Sequence, residues 1–182
     1  MSDKRSRFEQ DAGPHIDAAY NLARWLARSA ADAEDIVQDA LLLAYRNFDA
    51  RRGPNTRAWL LAIVRNCFLS ARRRDAARPA AVASLDATDA GTPPSALIGH
   101  DDPEQQAIAA EGARALDRAL GGLPQEFRLV LVLRELEGLS YKEIAEVTDA
   151  PVGTVMSRLA RARAALREAW PSRAAGAEDV LS

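Results

Sequence analysis

Glu137-Gly-Leu-Ser-Tyr-Lys-Glu-Ile-Ala-Glu-Val-Thr-Asp-Ala-Pro-Val-Gly-Thr-Val-Met-Ser-Arg-Leu-Ala-Arg-Ala-Arg163 is the stretch whose reading decides the fold. Gly138 closes whatever helix precedes it. Ser140 followed by Glu143 forms a capping box, in which a serine hydroxyl and a glutamate carboxylate each accept from an otherwise orphaned N–H. A short helix over 141–147 follows, with Ile144, Ala145 and Val147 inward. Thr148 to Pro151 must then turn, and Asp149 adopts the left-handed conformation more readily than most residues with a side chain. The last helix, about 152–169, carries Val155, Leu159, Ala162 and Leu166 at offsets 0, 4, 7 and 11, which is one face. Its other side shows Thr154, Ser157, Arg158 and Arg161. Capped helix, tight turn and longer helix make a helix-turn-helix. Such a unit can lay its second helix in a DNA major groove, and it can equally be a helical hairpin with a solvated charged face.

Upstream the helical period continues. Residues 104–120 and 124–137 read as helices separated by Gly121-Gly122, with Ile108, Ala115 and Leu116 apolar in one and Phe127, Val130, Leu131 and Leu133 in the other. Residues 76–103 break the pattern with Pro79, Pro93, Pro94 and Pro103, two glycines and no sustained period. A structureless run of that length inside one domain is uncommon, so it reads as a flexible linker. Before it lie three more helices. The first spans 14–28, with Ile16, Ala19, Tyr20, Ala23 and Leu26 recurring. The second spans 32–48, with Asp32 as N-cap and Ile36, Val37, Ala40, Leu43, Ala44 and Phe48 as its stripe. The third spans 56–74, with Trp59, Leu60, Ile63, Val64, Cys67 and Phe68 inward. The fold class is all-α, as two small helical domains, 14–75 and 104–170, joined by the linker. Residues 1–13 form an N-terminal arm and 171–182 a polar tail.

Charge is distributed unevenly. The 182 residues carry a net −2, but 1–75 hold thirteen basic against ten acidic residues, while 76–110 hold one against five. Arginines cluster at Arg72-Arg73-Arg74 and at Arg158, Arg161 and Arg163, and clusters matter more than totals for phosphate contact. No apolar run approaches the roughly 20 residues that span a bilayer, and the polar start is unlike a secretory signal. One cysteine and no metal-ligand spacing predict a cytoplasmic protein with no structural metal and no cofactor. Cys67 lies on an apolar helix face, the place of an inert thiol. Gly-rich phosphate loops and nucleophile–base pairs are missing, which argues against an enzyme.

Two stretches resemble one family. Leu123-Pro-Gln-Glu-Phe-Arg128, Val130 to Arg134 and the helix-turn-helix quoted above resemble region four of the extracytoplasmic-function sigma factors of the sigma-70 family. Asp32-Ala-Glu-Asp-Ile-Val-Gln-Asp-Ala40, Ala44-Tyr-Arg46, Arg57-Ala-Trp-Leu-Leu-Ala-Ile-Val-Arg-Asn66 and Arg72-Arg-Arg74 look like region two. The resemblance implies a promoter-specificity subunit of RNA polymerase, acting in a stress or envelope-signal response under an anti-sigma factor. It implies that the back domain binds the minus-thirty-five element through Tyr141, Lys142, Thr154, Met156, Ser157, Arg158, Ala160, Arg161 and Arg163, and contacts the flap of the β subunit. Where some members place an arginine before the serine, this chain has Met156, so an apolar contact replaces a hydrogen bond there. The minus-ten element falls to Arg51, Arg52, Asn55, Thr56, Arg65, Asn66, Arg72, Arg73 and Arg74. Arg72–Arg74 also suit a helix C-terminus, where the dipole favours cations, while Trp59 and Phe68 read as core. Glu34, Asp35, Gln38 and Asp39 would meet the clamp helices of the β′ subunit, although Asp35 equally suits a helix N-terminus. A standalone dimeric regulator with the same helix-turn-helix is the competing reading, and comigration with core polymerase separates the two.

Overall fold

The computed structural model describes residues 2–27, 29–51, 53–77 and 103–169. Most of the linker, the tail, Arg28 and Arg52 lie outside the described residues, as do the side chains of 103–110. Eight α-helices are described: α1 Ser2–Ala12, α2 Ile16–Leu26, α3 Ala30–Asn47, α4 Thr56–Ala76, α5 Pro103–Gly121, α6 Gln125–Leu131, α7 Tyr141–Thr148 and α8 Val152–Ala169. No strand occurs among the described residues.

The stretch read as an N-terminal arm is the helix α1. Its only large apolar residue in the sequence, Phe8, gives no period to read. Instead Phe8 meets Tyr45 and Phe48 edge-on, each at 5.4 Å between centroids. Lys4 pairs with Asp49 at 3.0 Å and Arg7 with the same carboxylate at 3.2 Å. A polar helix is thus held by one aromatic clasp and a few surface ion pairs, each worth at most about 1 kcal/mol.

In α3 the cap differs from the sequence expectation. Ser29, not Asp32, is the N-cap: its Oγ accepts from the Asp32 N–H at 3.1 Å, and the helix begins two residues early. Ser29 has the extended backbone a cap requires, whereas Asp32 is already inside the first turn, where its charge suits the dipole. Leu43, expected inward, is 41% exposed, because the buried stripe runs along Ala33, Ile36, Val37, Ala40 and Ala44. The helix expected over 124–137 divides. α6 ends at Leu131, and Val132–Leu136 widens into a π-helical turn whose Glu137 N–H reaches the Val132 carbonyl at 3.0 Å. Such widened turns redirect the side chains beyond them. The helix-turn-helix forms as its sequence requires. Ser140 and Glu143 make both arms of the capping box, and Asp149 sits left-handed at φ 49°.

Between the two domains α4 is shared. Leu60, Leu61 and Val64 are completely buried. The helix packs on α2 and α3 on one side and on α7 on the other, while α2 also touches α6. Buried residues of both domains, from Leu22 and Leu60 to Leu133, Ile144 and Leu159, form one continuous cluster.

Candidate polymerase and promoter interfaces

The α3 surface follows from the register of its buried stripe. With Ala33, Ile36, Val37 and Ala40 inward, Glu34, Asp35, Gln38 and Asp39 must emerge together, and all are exposed. Leu42 continues the same face and is 58% exposed, with Leu43 beside it. Sequence reading missed these leucines as surface groups, since an apolar residue at helical spacing reads as core. An acidic patch flanked by exposed leucines combines charge complementarity with area to bury. Arg74 lies 3.7 Å from Asp39, a mostly exposed pair of little energetic consequence.

The residues expected to read the minus-ten element do not share one environment. Arg51 is drawn inward: it pairs with Asp11 at 3.1 Å, donates to the Thr56 hydroxyl and stacks over Phe48 and Trp59. Thr56 is buried, at 8% exposure. Asn55 caps α4, its Oδ1 accepting from the Ala58 N–H at 3.0 Å. Its Nδ2 donates to Glu143 of the back domain at 2.7 Å. Arg65 is half-buried, and burial pushes its guanidinium down from its ordinary value despite the nearby Asp149 carboxylate. Its Nε is buried without a hydrogen-bond partner. Asn66, Arg72, Arg73 and Arg74 are exposed along α4, with Arg72 donating to Gln125. Arg52 lies outside the described residues. Trp59 is partly exposed against the core and Phe68 is buried, as expected of packing residues. Burial raises the Cys67 thiol, the opposite of what a reactive thiolate needs.

On α8, Met156, Ser157, Ala160, Arg161 and Arg163 are exposed and Thr154 and Arg158 half-buried, so the outer face is continuous. Met156 is 52% exposed. The arginines are pre-positioned by neighbours. Arg158 pairs with Glu126 at 3.0 Å, Arg163 with Glu135 at 2.6 Å, and Arg161 lies over the Phe127 ring. The Glu135 hydrogen bond holds the Arg163 guanidinium above its ordinary value. Pairs this exposed contribute little, so phosphates could take over the same guanidiniums at small cost. Tyr141 is steadied by Arg134, 4.9 Å above its ring, and Lys142 is exposed at the start of α7.

A helical domain with an exposed acidic face and a second with a helix-turn-helix define a two-part sigma-70-type protein. Family models agree: Sigma-70 region 2 matches residues 13–78 and Sigma-70 region 4 matches 113–166. The chain is 37% identical over 147 residues to the ECF RNA polymerase sigma-E factor of Haemophilus influenzae, covering 78% of this chain and 75% of that one. It is 38% identical over 138 residues to the Escherichia coli K12 protein of the same name, covering 74% and 72%. Among solved structures it is similar to the sigma factor RpoE in complex with the anti-sigma factor NepR from Bartonella quintana, with TM-score 0.67, 28% identity and 90% and 96% of the two chains covered. It is also similar to CnrH in complex with the cytosolic domain of CnrY, with TM-score 0.59, 28% identity and 90% and 87% covered. This chain belongs to the extracytoplasmic-function sigma factors of the sigma-70 family. No described helix is long and apolar enough to cross a membrane.

Proposed function

We propose that this chain is a promoter-specificity subunit with no catalysis of its own, working in the cytoplasm. Its α3 face docks on the β′ clamp helices of core RNA polymerase. α4, with Asn66 and Arg72–Arg74 exposed and Asn55 and Arg65 half-buried, engages and helps open the minus-ten element. There, trapping an extruded base costs a few kcal/mol that stacking and pocket contacts repay. The helix-turn-helix reads the minus-thirty-five element from the major groove, with Met156 facing a thymine methyl and Arg158, Arg161 and Arg163 on phosphate, and its domain also meets the β flap. An anti-sigma factor restrains the free protein until a stress or envelope signal removes it.

The observation that carries this reading is the ordered pair of matches, 13–78 and 113–166, on a chain whose α8 presents a continuous exposed face. Run-off transcription with purified core polymerase on a randomised promoter library tests it. Discrete promoter-dependent transcripts are expected, and Arg158→Ala with Arg161→Ala should cut them about tenfold or more while leaving the melting midpoint unchanged. Two lost phosphate contacts should also lower the salt dependence of DNA binding by about two units of slope. Transcription no different from core polymerase alone would overturn the reading.

A further inference from the structure

Arg51 sits where three helical segments meet. Its guanidinium pairs with Asp11, near the end of α1, at 3.1 Å. It also donates to the hydroxyl of Thr56, the first residue of α4. It lies 5.4 Å from the centre of the Phe48 ring and 5.8 Å from that of Trp59. Only 17% of the side chain is exposed. Around this node α1 grips the turn that follows α3. Phe8 meets Phe48 edge-on, Arg7 lies 5.9 Å from the same ring, and Lys4 and Arg7 both hold Asp49.

The loop between α3 and α4 is not stiffened by its own middle. Gly53 is left-handed at φ 87°, and Gly53 and Pro54 are exposed. Nothing approaches within 4 Å of the place a Gly53 Cβ would take. Its ends are fixed instead. Asn55 caps α4 by accepting from the Ala58 N–H at 3.0 Å, and Arg51 is fixed by the node. A planar guanidinium can pair with a carboxylate, donate to a hydroxyl and stack on aromatic rings at once, which an ammonium cannot. That fork is taken up inside the protein, the opposite of a side chain held out for phosphate. A loop that became ordered only on receiving DNA would add its conformational entropy to the barrier for opening. A loop already fixed at both ends avoids that cost.

We infer that Arg51 is a positioning residue for promoter opening: tied to Asp11 of α1 and stacked on Phe48 and Trp59, it presets the loop that receives the minus-ten element and does not itself touch DNA. This rests on the sigma-factor reading and deepens it, because α1, which carries none of the residues assigned to DNA or polymerase, becomes the buttress of the minus-ten loop.

The test uses the full-length chain with core polymerase and a promoter recovered from the randomised library. That promoter is supplied as a duplex and as a template pre-opened by mismatches across the minus-ten element. Run-off transcription and permanganate footprinting of the opened strands are read together. Arg51→Lys should cut opening and transcription from the duplex about tenfold, because lysine keeps the charge but loses the fork and the stacking. Asp11→Asn loosens only one exposed pair and should cost about threefold. On the pre-opened template both variants should stay within about twofold of wild type, since opening is already done there. Recovery of core polymerase should not change. Arg51→Lys behaving as wild type on the duplex would mean that charge alone suffices, and would overturn the inference. So would Asp11→Asn at or above wild type, the result for an arginine that Asp11 merely withholds from DNA. Equal losses on both templates would reduce the node to general structural support and overturn it too. Should Arg51→Lys fail to fold, Asp11→Asn, at a side chain 45% exposed, still decides. If wild type gives no promoter-dependent transcript on either template, the sigma-factor reading fails and this inference falls with it.

Discussion

The front domain leaves the acidic face of α3 open, while the back domain holds two arginines of α8 against its own carboxylates. On α3, Glu34, Asp35 and Gln38 stand exposed beside Leu42 and Leu43. On α8, by contrast, Arg158 and Arg163 are paired with Glu126 and Glu135 of the same domain, and α7 leans on α4. On the proposed function, the difference suits the partner each would meet. A protein surface is met by a rigid acidic and apolar patch that can be left open, provided it is small. DNA is met by guanidiniums on long flexible stems, which exposed carboxylates can hold in place and release cheaply.

The comparison is broken most severely through the core the two domains share. Leu60→Ala in α4 and Leu133→Ala beside the π turn each empty a completely buried site. Each should cost about 2–5 kcal/mol. If the domains unfold as one body, denaturant titration followed by helical circular dichroism shows a single transition shifted by either change. Two transitions, with only one shifted by each substitution, would show that the shared cluster does not couple them.

A middling effect sharpens the front side. Asp35→Lys with Asp39→Lys alters only exposed groups, so stability should move by no more than about 0.5 kcal/mol each. Recovery of core polymerase in a pull-down should nevertheless fall at least tenfold. Undiminished recovery would leave the acids as helix-dipole partners alone.

The smallest effect concerns the back domain's entrance. Ser140→Ala removes the capping box and should cost about 1 kcal/mol, read from the unfolding midpoint. The Ser140 hydrogen bonds hold the Glu143 carboxyl below its ordinary range. A depressed folded value means that its contribution is complete above the unfolded value of about 4.3. The contribution fades as pH falls through the folded value. Glu143→Gln should flatten that part of the acid-stability profile, and a profile identical to wild type would remove Glu143 from the cap.

Much of this was legible beforehand because it is local. The capping box, the left-handed Asp149, the buried face of Val155, Leu159 and Ala162 and the exposed arginines all follow from spacing within one or two turns. The misses share a cause. α1 is helical because Phe8 reaches Tyr45 and Phe48 some forty residues away, a contact with no trace in local period. Ser29 displaced Asp32 as cap by a backbone choice that two polar candidates three residues apart leave open. Leu42 and Leu43 surfaced because the buried stripe of α3 runs along Ala33, Ile36, Val37, Ala40 and Ala44 and leaves them on the opposite side.

Sequence alone determined that the two domains are helical, that the second carries a helix-turn-helix and that the acidic patch of α3 and the arginine cluster of α8 fall on separate helices, since periodicity, caps and charge are written in neighbouring residues. Tertiary structure alone decided that Glu137 is buried against Arg57, that Asn55 is engaged by Glu143, and that the two domains share a core. Those facts depend on where chain segments 80 or more residues apart come to rest. That placement is set by which apolar faces remain uncovered after each helix has formed, and no local pattern records it.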